Sequence, residues 1–103
     1  MAEYYLKVDN IMKNMLVVAL KDELAVQTEQ GNVQVQTEEL LAKIRAYDLK
    51  EKRLPITSEE QQQIRSALNR LRNKYLEMGR YSDGIDSVIM KVLKPNTSKH
   101  FFW

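Results

Sequence analysis

Residues 58–79, SEEQQQIRSALNRLRNKYLEMG, decide how the rest of the chain is read. Ile64, Ala67, Leu68, Leu71, Tyr75 and Met78 recur at i, i+3, i+4, i+7, i+11 and i+14. That spacing gathers them on one face of an α-helix. Thr57 or Ser58 can cap its start, with Glu60 or Gln61 reaching back in a capping box. Glu59 and Glu60 fall in the first turn, where the helix dipole favours negative charge. Gly79 supplies a left-handed stop. The expected helix covers 58–78 and is roughly 30 Å long, enough to span a small domain.

The segments on either side read as further helices. From about 3 to 27, Tyr5, Val8, Met12, Met15 and Ala19 form one stripe, and Met15–Leu20 is apolar all round. A helix apolar on every side needs neighbours on more than one side, or a second subunit in a homodimer. Gln30-Gly31-Asn32 signals a turn, and Val33 and Val35 alternate with glutamines, so a short β-hairpin near 26–36 is an expectation. Thr37 can cap a helix over 37–53 that Leu40, Ile44 and Tyr47 line and that Leu54-Pro55 ends. Ile85, Val88, Ile89 and Val92 suit a helical face, giving a fourth helix at 83–93 with Ser82 or Asp83 as its cap. The same residues are rich in β-branching, which also suits a strand. The fold expected is a mainly α, compact four-helix domain over 1–94. An aromatic tail, 95–103, ends in Phe101-Phe102-Trp103.

The 103 residues suit one domain, and 44% apolar with 29% charged residues is the balance of a globular protein. The longest apolar run, Met15–Leu20, is far below the roughly 20 residues of a membrane span. The first residues lack the order of a signal peptide, and no Cys is present. A cytoplasmic protein without a membrane partner is expected. Charge is uneven. Residues 1–39 hold three Lys against seven Asp/Glu, and residues 40–103 hold thirteen Lys/Arg against seven Asp/Glu. Such asymmetry either steers an acidic partner or is complemented within the fold.

No catalytic constellation is visible. His100 is the single histidine and has no adjacent acid, no thiol exists, and Gly31, Gly79 and Gly84 are too scattered for a phosphate loop. Glu38-Glu39 and Glu59-Glu60 open helices, where dipole complementarity accounts for them. Neither a cofactor nor a metal is expected, and a non-enzymatic role is. Two binding modes compete. Gln62, Arg65, Asn69 and Arg72 follow i, i+3, i+7 and i+10 on the long helix, with Asn73 alongside. Arg, Asn and Gln pair with base edges in the major groove. With a basic helix before them and a hairpin around Ser82-Asp83-Gly84 after them, they suit a winged helix-turn-helix DNA-binding regulator. The preferred expectation is a small binding protein that regulates or inhibits a macromolecular protein partner by occupancy. Phe101, Phe102 and Trp103 are its candidate anchors, unless they fold back over the protein's own core. In size, helical bias and lack of cysteine or catalytic motif, the chain resembles the small regulators and inhibitors carried by phages and plasmids. This is a resemblance of type without a residue-level motif.

Overall fold

Thr57 enters the long helix in an extended conformation. Its hydroxyl accepts from the Glu60 N–H at 3.1 Å, and Glu60 Oε1 accepts from the Thr57 N–H at 2.9 Å. Of the two sequence candidates, Thr57 with Glu60 makes the capping box. The helix runs Ser58–Glu77 and closes through Gly79, whose φ is +72°. The Arg80 N–H reaches the Tyr75 carbonyl at 2.9 Å and the Gly79 N–H reaches Leu76 at 3.0 Å. Both bonds of a Schellman closure are therefore made. Ile64, Ala67, Leu68 and Leu71 are buried. Met78, expected on the same stripe, is instead 52% exposed because it is the C-cap, already turning away from the helix.

The computed structural model describes residues 4–51, 53–93 and 96–97, the last pair by backbone alone. In chain order the elements are β1 (Tyr4–Leu6), α1 (Asn10–Glu29), α2 (Val35–Ala46), β2 (Leu54–Ile56), α3 (Ser58–Glu77), α4 (Asp83–Leu93) and β3 (Asn96–Thr97). The domain is mainly α with four helices, as its periodicities predict. α1 packs against both α2 and α3, and α4 packs mainly against α3. One core runs through all four helices and strands β1 and β2, and includes Met12, Leu16, Leu20, Ile44, Ile64 and Leu68. Among the described residues no helix is long and apolar enough to cross a membrane.

Four sequence expectations are corrected. The first helix starts at Asn10, not near residue 3, because extended Asp9 caps it, accepting from the Met12 N–H at 2.8 Å. Upstream of that cap, Tyr4–Leu6 becomes the middle strand of an antiparallel sheet ordered β2-β1-β3. Tyr4 pairs with Ile56 and Leu6 with Leu54, and Leu6, Leu54 and Ile56 all reach the core. Pro55 is tolerated because β2 is an edge strand.

No hairpin forms over 26–36. Val26–Glu29 completes α1, and Gly31, at φ +67°, follows its C-cap. Asn32 and Gly31 donate to Gln27 and Thr28 in the same Schellman closure that ends α3. Val33 and Val35, read as strand residues, are exposed and present no face to a core. Thr37 is not the cap of α2 either. Gln34 occupies that position, and buried Thr37 accepts from Gln27 Nε2 at 3.1 Å. Gln27 Oε1 in turn accepts from the Gln34 N–H at 3.0 Å, so one buried amide joins both helix ends.

The second helix stops at Ala46, well before residue 53. Tyr47 turns extended and buries its ring. Its carbonyl takes Lys13 Nζ at 2.7 Å and its hydroxyl donates to the Glu51 carbonyl at 2.7 Å. Asp48 Oδ1 holds the Lys50 N–H in a local turn that competes with helix. Leu40, Ile44 and Tyr47 line the core as expected. The fourth helix occupies the expected span and is helical, not extended. Beyond residue 94, β3 pairs with β1, setting Tyr4 opposite Thr97 and Tyr5 opposite Asn96. Phe101, Phe102 and Trp103 lie outside the described residues.

Candidate functional site

α3 is gripped differently on its two sides. Toward α1 and α2 it is closed by charge pairs. Arg70 Nε meets Glu23 Oε1 at 3.0 Å, Lys74 Nζ meets Asp22 Oδ1 at 2.9 Å, and Lys43 Nζ meets Glu60 Oε1 at 2.9 Å. The Asp22 carboxylate beside Lys74 raises that ammonium's pKa above its ordinary value. Two of these pairs join the acidic first part of the chain to the basic remainder, so part of the charge asymmetry is complemented internally. Open polar depressions of about 430 and 630 Å³ lie along this side, the first walled largely by glutamines. Gln63 lines the first, and its buried Oε1 has no hydrogen-bond partner.

The residues singled out as base readers do not share one flank. Gln62, Arg65, Asn69 and Asn73 are all exposed, but Gln62 lines the first of those depressions and Asn69 and Asn73 line the second. Arg72 is not free. It is half-buried, and its Nε donates to Asp86 Oδ1 of α4. Asp86 Oδ2 also accepts from the Ser82 hydroxyl at 3.0 Å. The Arg72 hydrogen bond, followed by that of Ser82, holds the Asp86 carboxyl below its ordinary pKa. The hairpin expected at Ser82-Asp83-Gly84 is absent, since Ser82 receives the Asp86 N–H at 2.8 Å and thereby starts α4.

A second tie fixes how α4 lies along α3. Gln61 Nε2 donates to the Val92 carbonyl at 2.8 Å. With Arg72 on Asp86, this makes the two helices antiparallel, and Met90 falls between the two ties. Met90 is 51% and Leu93 39% exposed. Both lie on the α4 flank that holds Asp86, at i+4 and i+7 from it. Between the two ties α3 exposes Arg65 and α4 exposes Met90. Sequence reading missed Met90 and Leu93, although both fall off the Ile85–Val88–Val92 stripe and were open to detection on that ground.

Beyond the four paired residues, the guanidinium of Arg80 lies 5.4 Å from the Tyr75 ring centroid and that of Arg53 lies 5.9 Å from Tyr5. Among the described residues of the α3 flank facing α4, Arg65 is left as the unpaired cation. No group of three or more metal-ligating side chains forms among the described residues. Comparison with protein-family models, curated proteins and solved structures finds no match to the chain.

Proposed function

We propose that this protein is a non-enzymatic, cytoplasmic binding protein that regulates or blocks a protein partner by occupying it, with the α3–α4 flank as the contact surface. The observation that carries the reading is the company Arg65 keeps. It is exposed on α3 without an ion-pair partner, Met90 and Leu93 are exposed on the α4 flank that holds Asp86, and Arg72 is neutralised by Asp86. Arginine and methionine are enriched at protein–protein interfaces, and apolar side chains ringed by amides can exclude water around a contact. A duplex-binding face needs several cations free to displace counterions from phosphates. One unpaired arginine beside an aspartate supplies little of that. The lack of cysteine suits a reducing compartment.

The test uses two surface variants, Met90→Asp and Arg65→Glu, each checked for unchanged helicity. A partner captured from the source cell by wild type and lost by both variants supports this reading. Capture that neither variant disturbs contradicts it. A salt-titrated duplex-binding assay addresses the DNA-binding alternative. Tight binding that weakens steeply with salt, and less steeply after Arg65→Ala with Arg72→Ala, would assign the flank to DNA instead.

A further inference from the structure

Gln63 is where hydrogen bonding in this domain fails to close. Among the described residues its Oε1 is the one buried side-chain polar atom that meets no partner. A buried acceptor without a donor has given up water and received nothing in exchange, which costs stability. A ligand that donates to it recovers that cost.

The surroundings of Gln63 define the donor. Gln63 stands in a wall between two open depressions of about 430 and 390 Å³, and Gln36 and Glu59 stand in that wall with it. Glu59 precedes Gln63 by four residues on α3, so the two side chains are neighbours on one helix face. The other carboxylate of the first depression is already engaged. Glu23 takes Arg70 on one oxygen, at 3.0 Å, and Gln27 on the other, at 3.3 Å. Glu59 is exposed and has no ion-pair partner among the described residues. In the second depression Lys43 occupies Glu60, while exposed Glu39 is unpaired in the same sense. Among the described residues no Lys or Arg lines the first depression, and Lys43 alone lines the second. A chain of formal net charge +2 therefore keeps an anionic cleft beside its one orphan acceptor.

We propose that this cleft binds an arginine side chain of a partner polypeptide, the guanidinium donating to Gln63 Oε1 and to the Glu59 carboxylate. The bound group has to donate to a neutral amide oxygen and to a carboxylate one helical turn away. A guanidinium is a planar fork of N–H donors that stays charged, and it is more weakly hydrated than an ammonium, so a partly buried site takes it at lower cost. The cleft already makes this kind of contact within the chain, between Arg70 and Glu23. An anionic ligand would meet Glu59 and Glu39 instead. The shape favours a polypeptide over a free small molecule. Both depressions are open and share one wall, so a chain lying across it can set one arginine beside Glu59 and a second beside Glu39. This site does not rest on the α3–α4 flank, since Arg65, Met90 and Leu93 line neither depression.

The probe is a blocked Ala-Arg-Ala-Arg-Ala peptide, titrated at low salt into the isotope-labelled full chain and followed by amide chemical shifts. Binding with Kd about 0.1–1 mM is expected of two partly exposed ion pairs, with the shifts centred on Gln36, Glu59 and Gln63. A peptide with citrulline in place of arginine keeps the shape and loses the charge. It should bind at least tenfold more weakly, and so should the arginine peptide to the Glu59→Gln variant. Gln63→Met removes the acceptor and keeps the length of the side chain. It should also weaken the peptide at least tenfold, without lowering the urea midpoint, because no hydrogen bond within the chain is lost. A lowered midpoint would mean that Oε1 is satisfied in the free protein, and it overturns the proposal. So does an absence of shifts at about 10 mM peptide, where millimolar binding would be about nine-tenths complete. Equal binding of the citrulline peptide would assign the cleft to main-chain recognition, and undiminished binding to Glu59→Gln would mark diffuse attraction to an acidic surface. Either result contradicts an arginine site.

Discussion

α1 and α3 are antiparallel neighbours of equal length, 20 residues each, and they use their apolar side chains differently. α3 has one narrow stripe, and that stripe is in the core. Its outer surface is mostly polar and charged, with Leu76 exposed near its end. α1 has an inner stripe that meets α2 and α3 and a second set, Ile11 and Val18, that is left exposed. Burial of a large apolar side chain contributes about 1.5–3 kcal/mol, so α1, with Ile11 and Val18 exposed, forgoes more of that term than α3, where Leu76 alone among the described large apolar residues is left 47% exposed.

The largest effect comes from the α3 stripe. Leu68 is fully buried, and Leu68→Ala should cost about 2–5 kcal/mol, read as a lower urea midpoint with unchanged slope. An unchanged midpoint would mean that the stripe does not carry the core. The caps come next, and here the two helices should behave alike. Asp9→Ala at α1 and Thr57→Ala at α3 each remove one side-chain acceptor from a helix N-terminus and should each cost about 1 kcal/mol. A cost confined to Thr57 would show that α1 is held by packing alone.

The smallest effect is electrostatic and belongs to α3's outer flank. The folded-state pKa of Asp86 lies below its ordinary value of 3.8. The unfolded chain therefore binds the proton more tightly, and the stabilisation is fully present above that ordinary value. It is lost as pH falls through the lower folded value. Asp86→Asn should flatten the acid limb of the stability–pH curve below about pH 4 and leave the neutral limb's shape unchanged. Identical acid limbs for the two proteins would count against the Arg72–Asp86 contact.

The parts legible in the sequence were those governed by one strong local signal. α3 was marked at both ends, by Thr57 with Glu60 and by Gly79, and its apolar period had no rival. α4 was bounded by Ser82 and Pro95. The misread segments each had a local pattern that a distant contact overrode. Tyr4–Leu6 continued a helical stripe, but Leu54 and Ile56, some fifty residues away, offered it a strand partner. Gly31 between alternating valines resembled a hairpin tip, yet the same glycine conformation closes a helix, and Gln27 reaching Thr37 and Gln34 settled the choice. The α2 terminus depended on Lys13 finding the Tyr47 carbonyl. The proposed contact surface was half legible. Arg65 was singled out by helical spacing, whereas the loss of Arg72 to Asp86 depended on how α4 docks, which no spacing within one helix encodes.

The contrast between α1's two faces is tested most directly by two single substitutions on that helix. Leu16 is 0% exposed and Val18, two residues on, is 49% exposed. In urea unfolding, Leu16→Ala should cost about 2–5 kcal/mol and Val18→Ala no more than about 0.5 kcal/mol. Equal costs at the two positions would contradict the account, because both faces of α1 would then be buried in the domain's own core.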